Sequence, residues 1–201
     1  MHKPNIKAHS LEEYHRLLSN ELKLHHGKEY LANHDALTNL IHDNPECEVV
    51  KEMGVCQGGT LAAILLAEPK KVIALDHIER YIEPNKHLFD QFAEHNGIDL
   101  QWTFGDSLNP NNVDECDILH IDTTHEPKHL EQELMLHARS VRRFIVFHDT
   151  CDYGKYSGLL PVIAKYITLY DQNWKIVEHY IHRVGYTVIE RVKRLPYLDR
   201  K

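Results

Sequence analysis

The chain has 201 residues, of which 42% are hydrophobic and 26% charged, and its formal net charge is −7. This composition is ordinary for a globular protein, and the length fits one large domain or a core domain with a small extension. The negative charge argues against nucleic acid or an anionic membrane as a partner. No window approaches the about 18 apolar residues of a membrane span, and the first residues lack the apolar core of a signal peptide. We therefore expect a soluble, cytoplasmic protein.

The spacing of the cysteines and the number of histidines are the two informative features of the composition. The four cysteines are widely separated and form no C-x-x-C pair, which is typical of reduced thiols rather than of disulfides or a structural zinc site. The 17 histidines are many for this length. Most of them are expected on the surface, so only position along the chain can single out those that do chemistry.

The first 45 residues are predicted to form a helical cap. Ser10 and Glu13 have the spacing of a capping box, and leucines recur at helical spacing over 11–22. A second apolar series at 37–41 ends before Pro45. We expect residues 1–45 to cover a main domain that comprises residues 46–201.

Short apolar runs alternate with amphipathic stretches after the cap, which predicts strands alternating with helices. Connections of this kind produce parallel strands with helices on both faces of the sheet. The predicted strands are 49–50, 72–75, 100–104, 118–121 and 144–147, and the predicted helices are 60–67, 84–95, 127–138 and 159–169.

The C-terminal part of the chain breaks this alternation. Two strand-like runs, 174–181 and 186–192, are joined by too few residues to hold a helix, so they are predicted to form an antiparallel hairpin. The fold class is therefore predicted as α/β, with a Rossmann-like, doubly wound and mostly parallel sheet that ends in an antiparallel hairpin.

Three loops follow the first three strands, at the edge of the sheet where doubly wound proteins bind ligands. The first contains Glu52, Gly54 and Gly58, but Cys56 stands where a dinucleotide-binding loop has its middle glycine. A pyrophosphate ligand is therefore disfavoured. The second loop begins at Asp76, whose carboxylate can accept two hydrogen bonds from a ribose diol.

The third loop contains Asp106 and Ser107. Together with the terminal hairpin, the three loops resemble those of class I S-adenosylmethionine (SAM)-dependent methyltransferases. In that family the glycine loop packs beside the amino-acid portion of the cofactor, and a polar residue after the third strand lies near the adenine. The resemblance implies SAM as cofactor and these binding residues: Glu52, Gly54, Gly58, Asp76, Asp106, Ser107 and Asp122.

Two carboxylates follow the fourth and fifth strands. Asp122 and Asp149 are expected at the same edge of the sheet, where they would repel each other unless a cation or a proton lies between them. Carboxylate ligands alone favour Mg²⁺, Mn²⁺ or Ca²⁺, whereas His125 or His148 as a further ligand would favour later transition metals.

The segment 117–134 and the residues around Asp149 resemble metal-dependent O-methyltransferases, namely the macrolide-sugar O-methyltransferase and cephalosporin hydroxylase-like group. The resemblance makes Asp122 and Asp149 metal ligands and His125 the general base. His148 stands where those enzymes tend to have a further carboxylate. We therefore predict a divalent metal, most simply Mg²⁺, at Asp122, His148 and Asp149, or a metal-free site in which His125 or His148 is the base.

The resemblance implies an enzyme that methylates a hydroxyl of a small molecule, such as a sugar or a secondary metabolite. Specificity for the acceptor is expected from the helical cap and from the loop 151–158. A catalytically inactive SAM- or nucleoside-binding scaffold, or a hydroxylase-associated subunit, is the alternative, and a nicotinamide-dependent enzyme is disfavoured by Cys56. The family also allows a homo-oligomer, because related enzymes often use such N-terminal helices in subunit contacts.

Overall fold

A seven-stranded sheet forms the centre of the computed structural model, which describes residues 5–26, 32–151, 158–181 and 184–192. Each predicted strand is present, extended by a few residues in most cases. The strands are β1 (Val49–Met53), β2 (Lys71–Asp76), β3 (Asp99–Phe104), β4 (Cys116–Ile121), β5 (Val141–His148), β6 (Trp174–Tyr180) and β7 (Tyr186–Arg191).

The strands lie in the order β3-β2-β1-β4-β5-β7-β6. All pairs from β3 to β5 are parallel, whereas β7 runs antiparallel to both β5 and β6. The hairpin follows from the sequence, because the link between β6 and β7 is too short for the helix that a parallel crossover needs. This sheet confirms the predicted fold class.

Helices cover both faces of the sheet. The first four pack on one face and share a core with the sheet, and the last two pack with each other on the opposite face. A π-helical turn, Tyr166–Tyr170, replaces the predicted C-terminal part of the last helix. The helices are α1 (Leu11–His26), α2 (Ala32–Asp43), α3 (Gly59–Leu66), α4 (Lys86–Asn96), α5 (Pro127–His137) and α6 (Leu159–Lys165).

The cap helices α1 and α2 pack against α3. Tyr14 is fully buried and donates a hydrogen bond through its hydroxyl to the carbonyl oxygen of Gln57, at 2.6 Å. Leu18 and Leu37 belong to the same apolar cluster as residues of the sheet. The cap therefore lies directly over the loop that follows β1. None of the described helices is long and apolar enough to span a bilayer.

The direction of winding reverses between β1 and β4. From β1 the chain passes outward to β2 and β3 on one side, and it then returns to β4 on the other side of β1. The carboxyl ends of β1 and β4 thus border the crevice in which doubly wound sheets bind ligands. Gly54 and Asp122 are the residues that follow these two strands.

Candidate active site

A cavity of about 480 Å³ opens at the carboxyl ends of β1 to β4. Five of the seven residues predicted to bind the cofactor line it, namely Gly54, Asp76, Asp106, Ser107 and Asp122, and two of these, Gly54 and Asp122, also line a second cavity. The remaining lining residues are Cys56, Leu75, His77, Ile78, Tyr81, Gly105, Thr123, Thr124 and His129.

Asp76 is fixed at the end of β2 by two backbone groups. Its Oδ2 accepts a hydrogen bond from the amide of Cys56, and its Oδ1 accepts one from the amide of Ile78, each at 2.7 Å. These bonds orient the carboxylate toward the cavity and connect the loops that follow β1 and β2. Each oxygen retains a lone pair that a ligand hydroxyl can use.

The two glycines of the first loop serve close packing within the protein. A Cβ atom on Gly54 would lie 1.9 Å from the carbonyl oxygen of Asp122, and one on Gly58 would lie 2.6 Å from the ring of Phe89. Both glycines have positive φ, at 93° and 79°. Glycine at 54 therefore lets the β1 and β4 loops touch. Gly58, which lines neither cavity, is the N-cap residue of α3.

Glu52 lies inside the sheet and is not among the residues that line the two cavities. It is 1% exposed, and its Oε1 lies 3.3 Å from Nδ1 of His120 on the neighbouring strand. Burial raises the pKa of Glu52 to about 6, although contact with His120 opposes this rise. His120 is likewise buried, at 1% exposed, and packs within the sheet.

A second cavity, of about 200 Å³, adjoins the first. The two cavities share Gly54, Cys56, Asp122 and Thr123. On one side the cap contributes apolar side chains and one imidazole, and on the other side lie the carboxylates and histidines that follow β4 and β5. The cap side consists of Leu18, Leu22 and His34, and the side that follows β4 and β5 consists of Asp122, His125, His148 and Asp149.

The structure brings the predicted chemical residues together as one cluster, which we call the loop cluster: Asp122, His125, His148 and Asp149. Nε2 of His125 lies between the two carboxylates, 2.8 Å from Oδ1 of Asp122 and 2.9 Å from Oδ2 of Asp149. Nδ1 of His148 lies 3.2 Å from Oδ2 of Asp149 and 3.6 Å from Oδ1 of Asp122.

The charges of the loop cluster stabilise one another. Burial disfavours the charged ring of His125, but its hydrogen bonds to Asp122 and Asp149 outweigh burial and raise its pKa to about 10. Hydrogen bonds from the two histidines likewise outweigh burial and hold the pKa of Asp149 well below its usual range. In the described arrangement His125 is therefore an imidazolium between two carboxylates.

Strained backbone supports this arrangement. His125 and Asp149 each have a φ of 56°, and Cys56 has a φ of 51°. Residues other than glycine enter this left-handed region only when their surroundings hold them there, and such residues concentrate at functional sites. Three strained residues thus surround the point at which the cavities meet.

Asp122, His148 and Asp149 could hold a metal ion, since one ligand atom from each lies within 4.8 Å of the others. A mixed set of carboxylates and imidazole suits Mn²⁺, Fe²⁺ or Zn²⁺ better than Mg²⁺. The same two carboxylates contact His125. Asp122, His148 and Asp149 therefore fit a divalent cation provided that the ring of His125 moves away from the two carboxylates.

Three residues of the site were not identified from the sequence. His34 of α2 lines the second cavity, is 6% exposed, and has its pKa lowered to about 3, chiefly by burial, so its ring is neutral. His129 and Glu133 lie one helical turn apart on α5, and His129 lines the larger cavity. The i, i+4 spacing was the available signal for this last pair. Of the predicted acceptor loop 151–158, residues 152–157 lie outside the described residues.

Comparison with known proteins relates this geometry to a fold. No protein-family model matches the chain, and no curated protein does. Among solved structures, a Staphylococcus aureus protein provisionally described as a caffeoyl-CoA O-methyltransferase has a TM-score of 0.67 at 13% identity, covering 92% of this chain and 93% of that chain.

Two further structures contain the cofactor or its product. Magnesium protoporphyrin IX methyltransferase from Synechocystis with bound SAM has a TM-score of 0.66 at 12% identity, covering 94% of this chain and 86% of that chain. The O-methyltransferase from Bacillus cereus in complex with SAH (S-adenosylhomocysteine) has a TM-score of 0.60 at 13% identity, covering 92% of each chain. This chain thus has the fold of the class I SAM-dependent methyltransferases.

Proposed function

We propose that this protein is a SAM-dependent methyltransferase that methylates a hydroxyl of a small molecule, such as a sugar or a secondary metabolite. The observation that carries this proposal is the junction of two cavities at Gly54, Cys56, Asp122 and Thr123. A methyl donor and its acceptor must approach in line and at short distance, which adjoining cavities permit. The fold shared with solved methyltransferases supports the proposal.

The larger cavity is the proposed SAM site. Asp76 would accept hydrogen bonds from the ribose hydroxyls with its remaining lone pairs. Asp106 and Ser107 would lie on the adenine side, and the loop at Gly54 on the side of the amino-acid portion. Glu52 and Gly58 line neither cavity, so we assign them to the support of this loop.

The second cavity is the proposed acceptor site. When bound, SAM supplies a methyl group on a positively charged sulfur, and its transfer breaks the C–S bond, forms a C–O bond and releases the hydroxyl proton. The loop cluster would receive that proton. His148 is the candidate base in the described arrangement, and His125, which is an imidazolium there, becomes a candidate base once it has left the two carboxylates. Because its members are in close contact, protons belong to the cluster as a unit. The apolar side chains of the cap would exclude water.

A divalent cation is a proposed addition to this site, held by Asp122, His148 and Asp149. When bound, it would polarise the acceptor hydroxyl. Release of His125 from the carboxylates would then leave its ring available to the hydroxyl proton.

Calorimetric titration with SAH tests the cofactor half of the proposal. We expect the wild-type protein to bind SAH and Asp76→Ala to bind it about tenfold to a hundredfold more weakly, because hydrogen bonds to a charged group are lost. Asp99→Ala, at the exposed start of β3, is the matched control and should bind like the wild type. Absence of SAH binding by the wild type would overturn the proposal.

Transfer of a labelled methyl group from SAM to a panel of sugars and hydroxylated metabolites tests the second half. We expect methylated product from the wild type and a loss of at least about a hundredfold in Asp149→Asn, which removes one charge of the loop cluster. SAH binding without transfer to any acceptor would favour the alternative, a nucleoside-binding scaffold.

A further inference from the structure

Glu133 of α5 connects three elements that line the larger cavity. Oγ1 of Thr123, after β4, donates a hydrogen bond to its Oε2 at 3.0 Å. Nε2 of His129, on the same helix, lies 3.1 Å from its Oε1 and 3.1 Å from Oγ of Ser107, which follows β3. We call Ser107, Thr123, His129 and Glu133 the helix cluster. Three of its four members line the cavity, and only Glu133 does not.

Burial defines the chemistry of this cluster. Glu133 has no exposed surface, and a buried carboxylate needs donors around it. Thr123 supplies one donor, and the hydrogen on Nε2 of His129 supplies another. In the neutral form of His129, the hydrogen on Nε2 leaves a lone pair on Nδ1. Within the described part of the chain, Nδ1 has no hydrogen-bond partner.

The position of His129 indicates that the base of a bound nucleoside could use this lone pair. Asp76 ends β2, whereas Ser107 and His129 belong to the part of the cavity bordered by the β3 loop and α5. A nucleoside held by its ribose at Asp76 would direct its base toward that part. Adenine differs from other purines in presenting an amino group at position 6, which is a hydrogen-bond donor and needs an acceptor.

We propose that Nδ1 of His129 accepts a hydrogen bond from the 6-amino group of adenine, and that Glu133 is the positioning residue that fixes the acceptor tautomer of His129. The inference rests on the proposed function, because it places a SAM-type ligand in the larger cavity. It names a determinant of base recognition other than Asp106, whose Oδ1 already accepts the amide of Leu108.

The test compares SAH with S-inosylhomocysteine, in which an oxo group replaces the 6-amino group and N1 carries hydrogen. Both ligands are titrated calorimetrically into the wild type, His129→Ala, Glu133→Gln and Asp106→Asn. We expect the wild type to prefer SAH by about tenfold, the worth of one hydrogen bond in a desolvated site. His129→Ala should bring this ratio close to one. Glu133→Gln should lower it part of the way, because an amide can present either its oxygen or its NH2 group to Nε2 and so fixes the tautomer less firmly. Asp106→Asn should leave the ratio unchanged.

Glu131→Gln is the matched control, since Glu131 lies on the same helix but pairs with Lys165 at the surface. It should retain the wild-type ratio. Two results would overturn the inference: the preference for SAH stays at its wild-type value in His129→Ala, or it is lost only in Asp106→Asn. The proposed function would stand in both cases. If the wild type binds neither ligand, both fail. His129 is partly exposed, so His129→Ala decides the question if Glu133→Gln does not fold.

Discussion

The loop cluster and the helix cluster both place an imidazole against carboxylates at the same edge of the sheet, but they are built differently. In the loop cluster, His125 and Asp149 follow different strands, and both have a φ of 56°. In the helix cluster, His129 and Glu133 have ordinary helical backbone and meet through i, i+4 spacing. The first holds two carboxylates and two histidines, and the second holds one of each.

This difference agrees with the proposed roles, in which the loop cluster does chemistry and the helix cluster holds a ligand. Regular helix geometry brings His129 and Glu133 together without strain, so their relative position is fixed by the helix. The loop cluster depends on strained backbone that neighbouring loops must hold in place. Concentrated charge and strain of this kind are typical of reacting groups. We therefore expect the loop cluster to respond more strongly to substitution.

The largest expected effect comes from Gly54, which supports the loop cluster from β1. In Gly54→Ala the new Cβ would lie 1.9 Å from the carbonyl oxygen of Asp122, and the residue would keep an unfavourable φ of 93°. We expect the free energy of unfolding to fall by about 3 kcal/mol or more, as measured by urea denaturation.

Gly97→Ala is the matched control for this substitution. Gly97 also has a positive φ, of 69°, but a Cβ there would meet nothing within 4 Å. It should cost only the conformational penalty of about 1 kcal/mol. If the two variants lose equal stability, contact between the β1 and β4 loops does not hold the loop cluster in place.

The second prediction concerns the pH dependence that His125 gives to stability. Its pKa is about 10 in the folded protein, against a usual value of 6.5. The contribution of His125 is therefore fully present below pH 6.5 and is lost as the pH rises toward 10. For one proton the slope is at most about 1.4 kcal/mol per pH unit.

Urea denaturation of the wild type and His125→Gln at pH 6.5, 8 and 10 checks this prediction. The difference in free energy of unfolding between the two proteins should shrink as the pH rises. A difference that is constant or that grows with pH would contradict the imidazolium assigned to His125. His87→Gln, a substitution of an exposed histidine on α4, should follow the wild type throughout.

Sequence reasoning predicted the framework better than it predicted the clusters. Strand–helix alternation is a local pattern, so the sheet, the terminal hairpin and the positions of Asp76, Asp122 and Asp149 at strand ends could all be read from it. That His125 bridges Asp122 and Asp149 depends on two loop conformations with positive φ, which no periodicity encodes. Whether His34 lines the second cavity depends on how the cap packs against the rest of the protein, and such long-range packing cannot be read from a local sequence pattern.

His129 and Glu133 of the helix cluster were missed for a different reason. His129 and Glu133 show a recognisable i, i+4 pair, but such pairs usually lie on the exposed face of a helix. Only the packing of α5 shows that Glu133 is fully buried and that His129 faces a cavity. Glu52 illustrates the opposite case, since its place in a family motif suggested the cofactor site and the structure pairs it with His120 instead.

The third prediction concerns competition at the loop cluster. A divalent cation bound by Asp122, His148 and Asp149 would draw on the two carboxylates that His125 contacts. We therefore expect His125→Ala to bind Mn²⁺ about tenfold more tightly than the wild type, since the competing charge-assisted hydrogen bonds are removed. Titration of the Mn²⁺ electron paramagnetic resonance signal measures this affinity without reference to catalysis.

His87→Ala serves as the control here and should bind Mn²⁺ like the wild type. Weaker binding by His125→Ala would mean that His125 is itself a ligand, which contradicts the competition. If the expected gain is found, the charge between the carboxylates can be supplied either by His125 or by a metal ion.

The smallest expected effect lies in the helix cluster. Thr123→Val removes the hydroxyl that donates to Oε2 of Glu133 and nearly preserves the shape of the side chain. Because Glu133 has no exposed surface, water cannot readily replace the lost donor, and we expect the free energy of unfolding to fall by about 1 to 2 kcal/mol. Thr124→Val, at the exposed neighbouring position, should change it by less than about 0.5 kcal/mol in urea denaturation. Equal effects of the two substitutions would show that the hydroxyl of Thr123 does not stabilise the carboxylate of Glu133. The contrast between the helix cluster and the strained loop cluster would then rest on His129 alone.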